Sequence, residues 1–192
     1  MKITKTSLCI VSLILQGGAY TLPAWCTAQT SKNLSEKGKS QTISSLKLES
    51  PAFKHNGYIP DKYAGRGNDI SPPLKWDNVP KGTRSFAVIC TDPDAEGAPW
   101  VHWILFNIPS TFNSLGEDSE NLPAESLLGT NSWGNIDYQG PTPPQGTHHY
   151  QFTLYALDTV LNLKEGATKA DLNKAMDGHI LAKGTLVGLY KQ

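Results

Sequence analysis

Three short runs constrain what this chain can fold into: "SFAVICTD" (85–92), "WVHWILFNIP" (100–109) and "HHYQFTLYAL" (148–157). Each is rich in Val, Ile, Phe, Tyr or Trp and is bounded by Pro, Gly, Asp or Asn, the composition and punctuation of β-strands. They are nearly apolar throughout rather than alternating, as strands covered on both faces must be. "HILAKGTLVGLY" (179–190) reads as a last strand. One helix is predicted over 168–178, with Thr168 as N-cap, Leu172, Ala175 and Met176 on one face, and Gly178 as its stop. Segment 110–135 reads mostly as loop. The pattern predicts a mainly β fold, an antiparallel β-sandwich with peripheral short helices.

The N-terminus has a different character. Lys2 and Lys5 precede an apolar stretch from Leu8 to Leu15 and small residues around Ala24 to Ala28, the three-part pattern of a cleavable signal peptide over residues 1–28. The apolar stretch is too short to span a bilayer. The expectation is therefore a periplasmic or secreted protein with no transmembrane segment after cleavage. Lipidation of Cys26 is a competing reading, disfavoured by bulky Trp25 where such signals place a small residue. Residues 29–45 are polar, rich in Ser and Lys, and read as a flexible leader. The domain is expected over 46–192.

Charge narrows the partners. The chain has 17 basic and 17 acidic residues, and losing Lys2 and Lys5 with the signal would leave 15 against 17, a net of −2. No basic run appears, which argues against nucleic acid. Cleavage would also remove Cys9 and Cys26, leaving Cys90 without a partner for an internal disulfide.

Strand parity then singles out three polar residues. Side chains two apart share a face, so Phe86, Val88 and Cys90 lead to Asp92. His102 heads a row with Ile104, Phe106 and Ile108, and His148 heads Tyr150, Phe152 and Leu154. If the strand ends lie side by side, one carboxylate and two imidazoles converge at the rim of the core. Each has a plainer alternative: an Asx turn at Asp92, a satisfied core histidine at His102, a solvated loop residue at His148. His149 points opposite to His148, and His55 and His179 have no motif support. Trp76, Trp100 and Trp103 read as packing residues, while Trp133 and Tyr138 are candidates for the pocket mouth or for loop packing.

The stretches "DISPPLKWDNVPKGTRSFAVICTDPDA", "WVHWILFNIP" and "GPTPPQGTHHYQFTLYALD" resemble the successive signatures of the phosphatidylethanolamine-binding protein family, in its bacterial, Raf-kinase-inhibitor-like branch. The resemblance runs from about Phe53 to Tyr190. It implies a β-sandwich with a small pocket for phosphate-type anions and phospholipid head groups, and carries Asp92, His102, Gly140, Pro144, His148 and Tyr150 into that pocket as ligand-binding residues. It implies no cofactor and no metal. Bacterial relatives often carry cysteines where this chain has Thr142 and, nearby, Gly65; the resemblance implies a disulfide there, and Pro141, Pro143 and Pro144 would have to stiffen the loop instead.

The chemistry suits an anion. Protonated imidazoles donate to phosphate oxygens, backbone N–H groups at Gly140 and Thr142 add donors, and Tyr150 offers a hydroxyl. Asp92 would orient an imidazole or meet a ligand ammonium, and a carboxylate neighbour is expected to raise the histidine pKa values. A binding module, with a regulatory role and a protein partner, leads because no Ser or Cys nucleophile sits in an activating motif. A phosphoester hydrolase or metal-dependent enzyme built on His102, His148 and Asp92 is the first alternative. An inhibitor of a kinase or peptidase is the second.

Overall fold

A computed structural model of the chain describes residues 43–97, 99–118 and 122–192. The expected signal peptide, with Cys9 and Cys26, and the leader as far as residue 42 lie outside the described residues. Ten strands follow in order: β1 (Ser44–Ser45), β2 (Lys47–Glu49), β3 (Gly57–Tyr58), β4 (Leu74–Asp77), β5 (Ser85–Asp92), β6 (Trp100–Pro109), β7 (Ser114–Leu115), β8 (Leu127–Leu128), β9 (Thr147–Leu157) and β10 (Ile180–Lys191). A 3-10 turn spans Asp61–Tyr63 and one α-helix, α1, spans Lys169–Met176. The first strand lies just ahead of Leu46, and the described residues of the segment read as loop contribute the two-residue strands β7 and β8.

The strands form two sheets. The larger runs β1-β10-β9-β5-β6-β8, with β3 also on β10, and the smaller runs β2-β4-β7. The long strands pair antiparallel as expected, whereas β1 and β3 each pair parallel with β10. At Leu46 the chain leaves the large sheet, its N–H still donating to the Lys183 carbonyl, and enters the small one as β2.

The apolar character of β5 has a direct cause. Phe86, Val88 and Cys90 pack with Leu74, Trp76 and Leu115 of the small sheet, while Ala87 and Ile89 pack with Leu172 and Met176 of α1. Both faces are covered, so alternation with polar residues would leave buried groups unpaired. Trp76 and Trp103 are fully buried on the small-sheet side, Trp76 edge-on to Phe86 at 5.2 Å. Each such side chain contributes on the order of 1.5–3 kcal/mol through burial.

Helix α1 forms as read. The Thr168 hydroxyl accepts from the Asp171 N–H, and the Asp171 carboxylate accepts from the Thr168 N–H, a reciprocal cap. Gly178, at φ +78°, follows the end of the helix.

Strand β6 departs from simple parity twice. Against β5, Phe86 pairs with Ile108 but Val88 with Leu105, and Cys90 pairs with Trp103 but Thr91 with Val101. Each shift marks a β-bulge that flips the strand's faces. Ile104 and Phe106 therefore face α1 while Trp103, Leu105 and Ile108 face the small sheet. At the bulge between Leu105 and Ile108, Asn107, at φ +57°, uses its amide to bond both N–H and C=O of Leu161.

Candidate functional site

The strand ends of β5, β6 and β9 border a cavity of about 320 Å³. Asp92, His102, Pro144, His148 and Tyr150 all line it, so five of the six residues singled out in the sequence lie together. Asp92 and His148 arrive by parity, on the faces of β5 and β9 that carry Cys90 and Tyr150. His102 does not share a face with Ile104, Phe106 and Ile108 as a regular strand requires. It is the extra residue of the bulge between Val101 and Trp103, and its ring stands edge-on to Tyr150 at 5.1 Å. The bulge re-aims a side chain that regular pleating would direct toward α1.

Gly140 is the exception among the six. It is not among the lining residues, and its N–H is donated to Asp69 Oδ1 at 2.6 Å, so it is not a free donor for a ligand. A Cβ at this position would stand 2.2 Å from the Tyr63 carbonyl oxygen. Glycine is there because the loop crosses another stretch of backbone. Tyr138 is likewise buried away from the pocket, donating to the Tyr63 carbonyl at 2.8 Å and packing on Trp103. Trp133 does line the mouth, edge-on to Trp100 at 5.3 Å and to His102 at 5.0 Å.

The polar groups are tightly assigned. His148 Nδ1 lies 2.7 Å from Asp92 Oδ2, with both residues largely buried, while Asp92 Oδ1 accepts from the Asp94 N–H at 2.8 Å. This second bond is the Asx turn that was the plainer reading of Asp92, so the carboxylate serves both purposes. His102 Nδ1 lies 2.6 Å from the Gln139 carbonyl oxygen. Because a carbonyl only accepts, Nδ1 carries the proton and Nε2 is the nitrogen left for other contacts. Burial lowers the His102 pKa, and the opposing pull of the Gln139 carbonyl, Asp92, the Gly140 backbone and Asp69 does not overcome it. The expected upward shift is thereby corrected for His102: desolvation, not the carboxylate, decides.

Two donors in the wall make no well-formed hydrogen bond within the structure, Trp100 Nε1 and the Tyr150 hydroxyl, the latter having the Asp92 carboxylate and the Thr142 backbone as its polar neighbours. Burial, then the neighbouring Asp92 and Cys90, hold the Tyr150 hydroxyl in its protonated form by pushing its pKa far up. The wall also contains Asp94 and Glu96, and among the described residues it includes no Lys or Arg. Outside the pocket wall, His149 Nδ1 pairs with Asp94 Oδ2 at 2.8 Å, lowering the Asp94 pKa through that hydrogen bond. Among the described residues no group of three or more His, Cys, Asp or Glu side chains is arranged to hold a metal ion.

Sequence reasoning missed Trp100 as a donor, Asp69 as the anchor of Gly140, and Asn131. The Asn131 amide is buried and organises the next loop: Oδ1 accepts from the N–H of Trp133 and of Asn135, and Nδ2 donates to Gln139 Oε1 at 2.9 Å. "NSWG" does carry the mark of an Asx turn, but nothing local links it to His102. A larger groove of about 610 Å³ elsewhere, bordered by Leu48, Phe53, Lys75 and Leu186, contains none of the candidate residues.

The positions where cysteines were expected from the resemblance are in contact. A Cβ at Gly65 would lie 2.6 Å from Thr142 Cγ2, and the Gly65 N–H donates to the Pro141 carbonyl at 3.2 Å. The double variant Gly65→Cys, Thr142→Cys is therefore expected to oxidise to a disulfide that raises stability by about 2–4 kcal/mol. Thiol titration and thermal melting with and without reductant check this. Two persistently free thiols, or no loss of the gain on reduction, would refute it.

Comparison with known proteins agrees with this fold. Residues 49–191 match the family model described as phosphatidylethanolamine-binding protein. A UPF0098 protein of Methanothermobacter thermautotrophicus is 48% identical over 150 residues, covering 77% of this chain and 99% of that one. A crystal structure of a phosphatidylethanolamine-binding protein homologue from Chlamydia trachomatis superposes with a TM-score of 0.72 at 40% identity, covering 78% of this chain and 99% of that one. E. coli YbcL, described as a member of the mammalian family of the same name, gives 0.73 at 30% identity over the same shares.

Proposed function

The chain belongs to the phosphatidylethanolamine-binding protein family, and on that premise we propose that it is an exported binding protein for small phosphate-type anions or phospholipid head groups, with a regulatory role. One observation carries this reading. Trp100 Nε1 is a buried donor without a partner, the Tyr150 hydroxyl makes no well-formed bond to its neighbours Asp92 and Thr142, and both belong to the wall that holds His102 and the Asp92–His148 pair. Native structures rarely bury donors unpaired, and an oxyanion in the cavity would satisfy both at once. A carboxylate-rich wall suits a ligand of low charge, or one bearing an ammonium group to meet Asp94 or Glu96.

A covalent mechanism has little support in the wall. Among the described residues lining it there is no Ser or Cys. Cys90, beneath the pocket, is fully buried and its thiol is pushed well up by burial, then by Asp92. The Asp92–His148 pair is the one feature a phosphoester hydrolase would also use.

Export follows from the N-terminal pattern. Protein from the periplasmic or extracellular fraction is expected to begin between Thr27 and Ser31 and to bind phosphoethanolamine by calorimetry, with His148→Ala weakening it at least several-fold. Intact Met1 in a cytoplasmic fraction would refute export. Absence of binding by both phosphoethanolamine and inorganic phosphate would refute the anion pocket, and steady release of inorganic phosphate from phosphoethanolamine would replace it with the hydrolase.

A further inference from the structure

His102 looks at first like a cationic donor for phosphate, but its surroundings assign it the opposite role. Its Nδ1–H is committed to the Gln139 carbonyl, and the Gln139 N–H returns a bond to the His102 carbonyl at 3.0 Å. Gln139 is fixed in turn through its side chain, whose Oε1 accepts from Asn131 Nδ2 at 2.9 Å and from Asn135 Nδ2 at 3.0 Å. Asn131 is itself buried, at 5% exposure, and also ties down the N–H groups of Trp133 and Asn135. We infer that Asn131, through Gln139, locks His102 in its Nδ1–H form, so that Nε2 meets the ligand as an acceptor and the pocket selects a phosphate-type group that still carries a proton.

The inference rests on the anion-pocket reading and narrows its ligand. A neutral imidazole with Nδ1–H has only a lone pair at Nε2. A phosphate monoester in its singly charged form supplies the P–OH that this lone pair needs, while its remaining oxygens take up Tyr150 and Trp100. Sulfate and phosphodiesters bring no proton, so an oxygen lone pair would face a nitrogen lone pair. The charge balance points the same way. Asp92 on β5, Asp69 from the loop before β4, and Asp94 and Glu96 in the wall all bear on the site, and His148 on β9 already engages Asp92. A dianion would meet that field unfavourably. Burial, which lowers the pKa of His102, keeps the ring neutral near pH 7.

Asn131 is a positioning residue, and its test uses a readout that folding alone does not set. Two-bond proton–nitrogen NMR spectra of the ligand-free, full-length protein are expected to show His102 protonated at Nδ1. In calorimetry, phosphoserine, whose second pKa is about 6, should bind at least tenfold more tightly than sulfate or glycerophosphoethanolamine at pH 6.5. Its affinity should fall roughly tenfold per pH unit above pH ~7, since one proton must then be taken up on binding. Asn131→Asp keeps the acceptor for the Trp133 and Asn135 N–H groups but loses the donor to Gln139, and should shrink the discrimination several-fold while mixing the His102 tautomers. Gln139→Ala breaks the same relay from its other end and serves if the first variant does not fold. An Nε2–H ring in the wild-type protein, or equal binding of sulfate and phosphoserine, would overturn the inference while leaving an anion pocket in place. Failure of every ligand to bind, with the ring in its Nδ1–H form, would overturn the pocket reading itself and the ligand selection with it. Unchanged tautomer and discrimination in both variants would remove Asn131 from the mechanism.

Discussion

Gly140→Ala is expected to cost this protein several kcal/mol and to remove ligand binding with it. The added Cβ would stand 2.2 Å from the Tyr63 carbonyl oxygen and 2.8 Å from Ala64 Cα, all backbone contacts that no rotamer change relieves. Overpacking of this kind costs about 1–3 kcal/mol where side chains yield, and more where backbone must move. The displaced loop would also lose the Gly140 N–H bond to Asp69 Oδ1, a charge-assisted contact of 2.6 Å worth about 1.5–3 kcal/mol. For a domain of this size a loss near 3 kcal/mol lowers the melting temperature by roughly 6–12 °C. Because Pro144 follows directly in the same loop and lines the pocket, affinity for phosphoserine should fall together with stability. Thermal melting and calorimetry on the same preparation check both, and a variant that melts within 2 °C (about 0.5–1 kcal/mol) of the parent would show that the two backbone stretches separate easily.

That residue also shows how far the sequence can be read. The resemblance placed Gly140 in the pocket wall, whereas it lies outside the lining, and its role as a spacer depends on Tyr63 and Ala64, more than seventy positions away. Strand parity found Asp92 and His148 because β5 and β9 are regular where those residues sit. It reached His102 only by accident, since the bulge at that residue reverses the parity used to nominate it. A bulge of this kind leaves no local mark: "WVHWILF" has no glycine or proline where the register shifts. The helix, by contrast, was legible to its cap, because Thr168 and Asp171 interact within one turn. The direction of the His102 pKa shift was hidden for the same reason as the spacer. It is decided by burial against the opposing pull of a carbonyl from a different loop, neither of which a list of neighbouring charges contains.

Tyr150→Phe is expected to separate binding from stability in the opposite sense to the glycine variant. The ring is 1% exposed and packed in the core, but its hydroxyl makes no well-formed hydrogen bond within the structure, Asp92 and the Thr142 backbone being its polar neighbours. Leaving a buried donor unsatisfied costs about 1–3 kcal/mol, so deleting it without changing the ring should leave the melting temperature unchanged or raise it. The same deletion removes a donor that the anion-pocket reading assigns to the ligand. Burial, then Asp92 and Cys90, keep the hydroxyl protonated through the whole working range, so its contribution to an oxyanion does not depend on pH. A hydrogen bond to a charged group contributes about 1.5–3 kcal/mol, of which about 1.4 is tenfold in affinity. Phosphoserine should therefore bind at least tenfold more weakly to the Phe variant at every pH from ~6 to ~8, with the slope of its pH dependence unaltered. A melting temperature well below the parent's would mean that the hydroxyl serves the fold, and unchanged affinity would mean that the ligand stops short of Tyr150. A changed slope would mean that Tyr150, rather than His102, receives the ligand's proton, because only the group that shares that proton sets how many are taken up on binding.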